Sequence, residues 1–453
     1  MNEARTRDLP GAIRRFEPYP AYKDSGVEWL GEIPVSWKVE RADSFLRYDK
    51  TQIEPSEISD ELVFHYSIPS IQETGDGQLE PPSGIDSAKL RIEGERLLVS
   101  KLNPRKGVVL IAAEQDVPTL CSTEFVPFEA RSSDLRWAMY MFMAESTRQR
   151  LSAVVRSATR SHQRAEVPEI AKMWHGVPPL PEQRAISAFL DRETAQIDSL
   201  IATKERLIEL LQEKRTAVIT RAVTKGLDPT APMKDSGVEW LGEIPAHWAV
   251  KRIKNISRFV TSGSRGWAEH YVDEGAIFLR IGNLRTDSVD LDLSDVQHVS
   301  PPPGTEGGRT RVRAGDVVIS ITALIGAVGV VPAGMLTGFV NQHLALVRLS
   351  SEDSSPRWLA YCVLSRVGQE QLQGNLYGGT KDGLNLDDIR STIVLMPAKG
   401  EQDRLIDTLD RNGTEVDALI AKVRIAIDRL KEFRTALISA AVTGKIDVRE
   451  ETV

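Results

Sequence analysis

Apolar positions recur every seven residues through two long stretches of this chain. In the first, Leu190, Ile197, Lys204, Leu211 and Val218 form one row, with Ile201, Ile208, Arg215 and Ala222 beside it. In the second, the rows are Leu409, Val416, Val423, Leu430 and Leu437, and Ile420, Ile427, Arg434 and Ala441. These are a and d positions of a coiled coil. The positions between them are rich in Glu, Lys, Arg and Asp, as a solvated face requires. Two such helices in one chain predict an antiparallel pair about 60 Å long at 1.5 Å per residue, which would act as a rigid ruler. Each seam carries an Arg at the same d position, where a charge costs stability and fixes register. Gly226 and Gly444 fit helix stops. Asn412-Gly413 predicts a break after a short opening helix in the second stretch, because glycine costs about 1 kcal/mol inside a helix.

Outside these stretches the pattern changes to β-branched runs. Strands are expected at Leu97–Ser100, Val108–Ala112, Val317–Ile321, Ala327–Val331 and Leu344–Leu349. One amphipathic helix follows in each half, near Arg136–Val154 and Arg357–Gln373. Glycine and proline mark loops at Gly75–Gly77, Pro81–Gly84 and Ser300–Gly308. The fold class is therefore α/β (α+β): two mixed α/β domains separated by two long antiparallel coiled-coil helices.

The chain is also an internal repeat. Asp24–Pro34 reads DSGVEWLGEIP, and Asp235–Pro245, 211 residues on, reads the same. Trp37 and Arg41 are matched by Trp248 and Arg252. Farther along, Glu182-Gln183 is matched by Glu401-Gln402, and Arg215–Thr224 by Arg434–Thr443, 219 residues apart. An eleven-residue identity is not chance. The copies run roughly 1–229 and 230–453 and imply pseudo-two-fold symmetry. Their middles diverge, although Arg136-Trp137, Tyr140 and Leu151 are echoed by Arg357-Trp358, Tyr361 and Leu372, and Thr159-Arg160 by Thr380-Lys381. A constant frame around unlike centres is what two readers of different ligands need.

Composition narrows the class. The 453 residues suggest several domains, and no apolar run approaches a bilayer span. The polar N-terminus lacks the apolar core of a secretory signal. The two cysteines, Cys121 and Cys362, sit in apolar surroundings and read as buried thiols of a reducing cytoplasm. Catalytic constellations are missing from the sequence. Gly304–Thr310 lacks the Gly-Lys-Ser/Thr ending of a phosphate loop, and no Gly-x-Ser-x-Gly or Asp/Asn-Pro-Pro-aromatic run occurs. Asp290-x-Asp292-x-Ser294 has Asp295 where a calcium loop needs glycine. The chain is expected to bind no metal and no cofactor and to be no enzyme.

The net charge of −7 argues against nucleic acid at first sight, but local clusters do not. Ser146–Arg164 holds Arg148, Arg150, Arg156, Arg160 and Arg164 and no acid, and closes on Arg160-Ser161-His162-Gln163-Arg164. Lys101, Asn103, Arg105 and Lys106 form a second cluster, and Val250–Ala268, with Arg265, a third. Arg280, Asn283 and Arg285 follow a strand, and Asn341-Gln342 precede one. Thr322 and Lys381 complete the candidate set. Lys and Arg give sequence-independent phosphate affinity, whereas Arg, Asn and Gln at loop tips read base edges.

The repeated frame, the Pro-Glu-Gln or Gly-Glu-Gln opening of each long helix and the closing Arg-Thr-Ala-x-Ile-(Thr/Ser)-x-Ala-Val-Thr resemble specificity subunits of Type I restriction–modification enzymes over nearly the whole chain. The second copy departs from the first by carrying Gly400 in place of Pro181. The resemblance implies frame segments at 1–35 and 230–246, target recognition domains at 36–178 and 247–397, and spacer helices at 179–229 and 398–453. It implies a cytoplasmic DNA-binding subunit that reads a bipartite, asymmetric site on double-stranded DNA. It also implies docking of methyltransferase subunits, two in number, and through them nuclease/translocase subunits. S-adenosylmethionine, ATP and Mg would then belong to those partners. Two other readings stay open at this point: a coiled-coil tether joining two protein-binding domains, and a self-sufficient methyltransferase or nuclease.

Overall fold

The computed structural model describes residues 16–48, 50–157, 163–301, 305–335, 337–374 and 383–451. Its fold is mixed α/β. Among the described residues, six helices reach nine residues or more: α1 (Leu135–Met143), α2 (Glu145–Ala153), α3 (Leu180–Lys225), α4 (Pro356–Leu364), α5 (Arg366–Gly374) and α6 (Lys399–Val442). No helix among them is long and apolar enough to cross a membrane.

The chain forms two compact units, and these are not the two sequence copies. The first unit is Met1–Thr203 with Ala426–Val453, and the second is Lys204–Ile425. Each unit thus takes part of α3 and part of α6. In the first unit Ile186, Phe189, Leu190 and Ile197 of α3 share a core with Leu437, Ile438, Ala441 and Val442 of α6. In the second, Ile219, Ala222 and Val223 pack in one cluster with Leu405, Ile406 and Leu409. The start of one helix meets the end of the other in both units, so the pairing is antiparallel. The seven-residue rows are buried or half-buried throughout, and the Arg residues in them are ion-paired. Arg215 pairs with Asp417, and its Nη1 donates to the Asp287 carbonyl oxygen at 2.9 Å. Arg434 pairs with Asp198 at 2.9 Å. The two pairs are images of each other under the repeat, so the register expected of a charged seam is held by a partner on the facing helix.

Two sequence expectations are corrected. α6 runs unbroken through Asn412-Gly413. The glycine cost is outweighed because Leu409 and Val416 on either side are buried, and Arg215 reaches the Gly413 carbonyl oxygen at 3.4 Å. In addition, the single amphipathic helix expected in each half is two helices. The chain turns at Ala144 between α1 and α2, and at Ser365 between α4 and α5, where ψ swings to 142° and 156°. The freed N–H groups at these joints are capped from the long helices. Ser439 Oγ accepts from Glu145 N, and Thr220 Oγ1 accepts from Arg366 N, both at 3.0 Å. Ser439 and Thr220 are the Thr/Ser position of the repeated closing signature, which gives that position its physical reason.

Beside its two-stranded pairs, each unit holds one larger antiparallel sheet and one larger mixed sheet among the described residues. In the first unit the antiparallel order is Val109–Ala112, Arg96–Ser100, Phe125–Ala130, Leu46–Tyr48; the mixed sheet runs Gln52–Ile53, Lys89–Ile92, Thr119–Ser122, Val63–Tyr66, Gln78–Glu80. In the second the orders are Ser257–Ser262, Leu344–Leu349, Val317–Ser320, Val328–Val330 and Tyr271–Val272, Gln297–Val299, Ala276–Leu279, Gly338–Val340. Each mixed sheet contains one parallel pair, Thr119–Ser122 with Val63–Tyr66 and Ala276–Leu279 with Gly338–Val340. The unlike middles therefore share one plan.

The frame closes each unit with buried polar bonds. The repeated DSGVEWLGEIP is a hairpin, Tyr22–Asp24 on Glu32–Pro34 and Met233–Asp235 on Glu243–Pro245, whose Asp accepts from the Gly N–H two residues on at 2.9 Å. Trp37 and Trp248 are fully buried and donate Nε1–H to Glu182 and Glu401 at 2.7 and 3.2 Å. The neighbouring Gln183 accepts from Asp134 N at 2.8 Å and donates to the Pro178 carbonyl oxygen at 2.9 Å. Gln402 accepts from Ser355 N and donates to the carbonyl oxygens of Asp353 and Pro397, all at 2.9 Å. Tyr140 and Arg136 both donate to Asp191, as Tyr361 and Arg357 do to Asp410. Burial, with Asp191 alongside, pushes the Tyr140 phenol up to about 12. At the helix stops Gly226 and Gly444 adopt φ +71°, and a Cβ at Gly444 would lie 2.5 Å from Pro34. Both cysteines are buried free thiols.

A methyl group at Gly413 would stand in open space, with nothing within 4 Å. Gly413→Ala should therefore raise stability by about 0.5–1 kcal/mol, read as a higher urea midpoint; a lower midpoint would mean that the helix needs the glycine. Ser439→Ala should cost about 1 kcal/mol by uncapping α2. Thr216→Ala, at an exposed position of α3, should shift the midpoint far less.

Candidate nucleic-acid interface

In the first unit the structure brings two of the donor-rich segments together. The loop after Arg96–Ser100 turns at Asn103, which sits in the left-handed region at φ 47°. Its N–H donates to the Gln163 carbonyl oxygen at 2.7 Å, and Leu102 bridges Arg164. Ala165 N donates to the Lys101 carbonyl oxygen at 2.9 Å. Lys101, Asn103, Arg105 and Lys106 are thereby laced to Gln163 and Arg164, with Arg105 and Lys106 exposed. Arg148, on α2, reaches the Arg105 carbonyl oxygen at 3.3 Å, so a further basic side chain borders the loop. In the short pair of strands Arg156–Ser157 and Gln163–Arg164, Arg156 is in register with Arg164. Arg160 and His162 lie outside the described residues, as does Lys381.

Arg164 is not a free cation. Its guanidinium is ion-paired with Glu124, a neighbour that nothing in the sequence pattern announces. Arg105 and Lys106 are exposed, with Gln163 half-buried beside them, and no ion pair holds either cation among the described residues. A separate cleft of about 610 Å³ in this unit is walled by Glu54, Asp60, Glu61 and Asp86, and its charge would repel phosphate.

In the second unit a different set of loops converges. Asn341 bridges Ser264, and Ser264 N donates to the Val340 carbonyl oxygen at 3.0 Å, which sets exposed Arg265 beside Asn341 and Gln342. The approach requires Gly263, where a Cβ would lie 2.0 Å from the Asn341 carbonyl oxygen. His343, absent from the sequence-derived candidates, lies within 3.1 Å of both Thr322 Oγ1 and Gln342 Nε2. Its only signal in the sequence is adjacency to Asn341-Gln342. Lys251, Arg252 and Lys254, from the same basic stretch as Arg265, lie instead in the frame strand Ala249–Arg252 and the short helix behind it.

The Arg280–Arg285 group needs correction. Asn283 is 2% exposed, and its amide is fully used: Oδ1 accepts from Arg280 N, and Nδ2 donates to the carbonyl oxygens of Asp292 and Asp295, each at 2.9 Å. It shapes the loop and does not face outward. Arg285 is held bidentately by Asp287 at 2.8 and 3.1 Å. Arg280 and Asn341 line a cleft of about 360 Å³ whose other walls include Asp292 and Asp295, so its charge is mixed. The Asp292 carboxylate caps Ser294 in a turn, and no group of three metal-binding side chains forms among the described residues.

Asn103→Ala should destabilise the loop by roughly 1 kcal/mol, because alanine tolerates the left-handed region less well. Asn103→Gly should leave the urea midpoint near that of the parent, and equal losses from both would contradict the backbone argument.

No protein-family model matches the chain. Curated relatives do. The specificity subunit of the Type I restriction enzyme EcoBI from Escherichia coli is 26% identical over 280 residues, which cover 60% of this chain and 58% of that one. The match thus spans less than two thirds of that relative. The MjaVIII specificity subunit from Methanocaldococcus jannaschii is 21% identical over 428 residues, covering 92% of this chain and 94% of its own. A chain solved in work on complex assembly and conformational transition of the Type I R-M system superposes with a TM-score of 0.69. It is 16% identical and covers 91% of this chain and 99% of its own, and it shows that the fold is shared.

Proposed function

We propose that this chain, a relative of the Type I restriction enzyme specificity subunits, is the DNA-recognition subunit of such a complex. Each unit reads one half of a split, asymmetric duplex site, and the shared frame docks methyltransferase subunits, two in number, and through them nuclease/translocase subunits. The chain contributes recognition and not chemistry. Adenine methylation with S-adenosylmethionine and ATP- and Mg-dependent cleavage belong to the partners, in the cytoplasm.

One observation carries this reading. On a common plan, the two units carry unlike donor sets where their loops meet: exposed Arg105 and Lys106 with half-buried Gln163 in one, exposed Arg265 and Gln342 with half-buried Asn341 in the other. Forked and amide donors on loops suit base edges and phosphates, whereas a protein tether would place its diversity in apolar patches. The net charge of −7 is compatible because the assembled complex, rather than this chain alone, neutralises most phosphates.

The test is binding by the full chain assembled with its methyltransferase subunits. Replacing Arg105 and Lys106 together by alanine should weaken binding to cognate and random duplexes alike. It should also flatten the log–log salt dependence by about 0.9 for each phosphate no longer neutralised. Gln163→Ala should instead lower the preference for the cognate site while sparing random DNA. Unchanged affinity and slope in both variants would sink the assignment of this loop.

A further inference from the structure

The exposed loop of the second unit holds a relay of three side chains whose geometry selects a base. His343 Nε2 lies 3.1 Å from Gln342 Nε2, and His343 Nδ1 lies 3.1 Å from Thr322 Oγ1. An amide nitrogen only donates. With the amide nitrogen facing it, His343 Nε2 accepts and Nδ1–H is donated to the Thr322 hydroxyl. With Oε1 facing it, Nε2–H is donated and Nδ1 accepts from the same hydroxyl, so either tautomer ties all three side chains together. The ring is anchored through its own backbone as well. His343 N donates to Asn341 Oδ1 at 3.1 Å, and its carbonyl oxygen accepts from Ile321 N at 3.0 Å. The Ile321 carbonyl oxygen in turn accepts from Leu384 N at 2.8 Å.

Gln342 itself is exposed. A free glutamine can rotate its amide by half a turn and offer either face. Here the bond to His343 holds the amide group in place, and a flip is met by the other ring tautomer. Whichever amide atom faces His343, one N–H and one Oε1 lone pair remain side by side. That donor–acceptor pair matches the N7 acceptor and N6 amino donor of adenine in the major groove. Guanine presents two acceptors, N7 and O6, and would leave Oε1 facing an oxygen.

We propose that His343 is a positioning residue that fixes Gln342 as the adenine reader of the half-site recognised by the second unit. The proposal rests on the DNA-recognition reading and adds to it a base and two residues.

The experiment uses the full chain assembled with its methyltransferase subunits and selects bound duplexes from a randomised double-stranded pool. The parent complex should enrich a split motif with adenine at a position in one half. Gln342→Ala should reduce the adenine preference there by about tenfold or more and leave the other half of the motif intact, which also shows that the variant is folded and assembled. His343→Phe should relax the same position, with guanine rising against adenine, and leave affinity for random duplex unchanged. Should His343→Phe fail to assemble, Thr322→Val, which removes only the hydroxyl, is expected to move that position in the same direction. Adenine preference that survives in the His343 or Thr322 variant while Gln342→Ala abolishes it would remove the positioning role. A Gln342→Ala profile that matches the parent, or that relaxes a position other than adenine, would overturn the reader assignment. A parent complex that enriches no motif would overturn the DNA-recognition reading and the proposal with it, and that failure is distinguishable because it precedes any variant.

Discussion

Neither unit can close its core with residues from one sequence repeat. The first unit covers α1 with the opening turns of α3 and the closing turns of α6, and the second uses the closing turns of α3 and the opening turns of α6. Each large apolar side chain so buried contributes roughly 1.5–3 kcal/mol, and each unit draws several from either helix. The polar clamps follow the same division. The opening Glu-Gln of each helix holds the frame tryptophan and the start of α1 or α4 in its own unit. The closing Thr/Ser caps the joint of the split helix packed against it. This constraint explains why the frame is repeated almost unchanged.

Once the frame is fixed, the loops at the sheet ends are free to differ. The left-handed Asn103 and the missing Cβ at Gly263 are local devices that press one loop against another. They bring together donors far apart in sequence, Lys101–Lys106 with Gln163–Arg164 and Arg265 with Asn341-Gln342. Some of those donors are consumed on the way. Asn283 spends its whole amide on the loop that carries it, and Arg164 and Arg285 are neutralised by Glu124 and Asp287. What remains for a ligand is a smaller set than the charge pattern suggests. It pairs three cations, Arg105, Lys106 and Arg265, with three amides, Gln163, Asn341 and Gln342.

The long helices are legible in the sequence because a seven-residue seam is a local, periodic signal, and the paired plan is legible because the frame repeats. The mixed α/β class follows from β-branched runs between those helices. Signals that depend on distant partners are not legible. The joint at Ala144 has no local breaker, since its cap comes from Ser439, 294 residues from Glu145. The opposite holds at Asn412-Gly413, where a local breaker is overruled by buried Leu409 and Val416. At the candidate interface the clusters of like charge are visible in the sequence, but their neutralising partners are not. His343 escapes notice there because a lone histidine carries no pattern until Thr322 is folded against it.

The central claim is that this chain dictates which DNA sequence its partners modify. The most direct test is methylome sequencing of a host that expresses the cognate methyltransferase subunits with and without this gene. The account predicts a bipartite N6-methyladenine motif, two short specific halves separated by unspecified bases, that disappears when the gene is removed. The same motif persisting without the gene, or no motif arising with it, would contradict the claim.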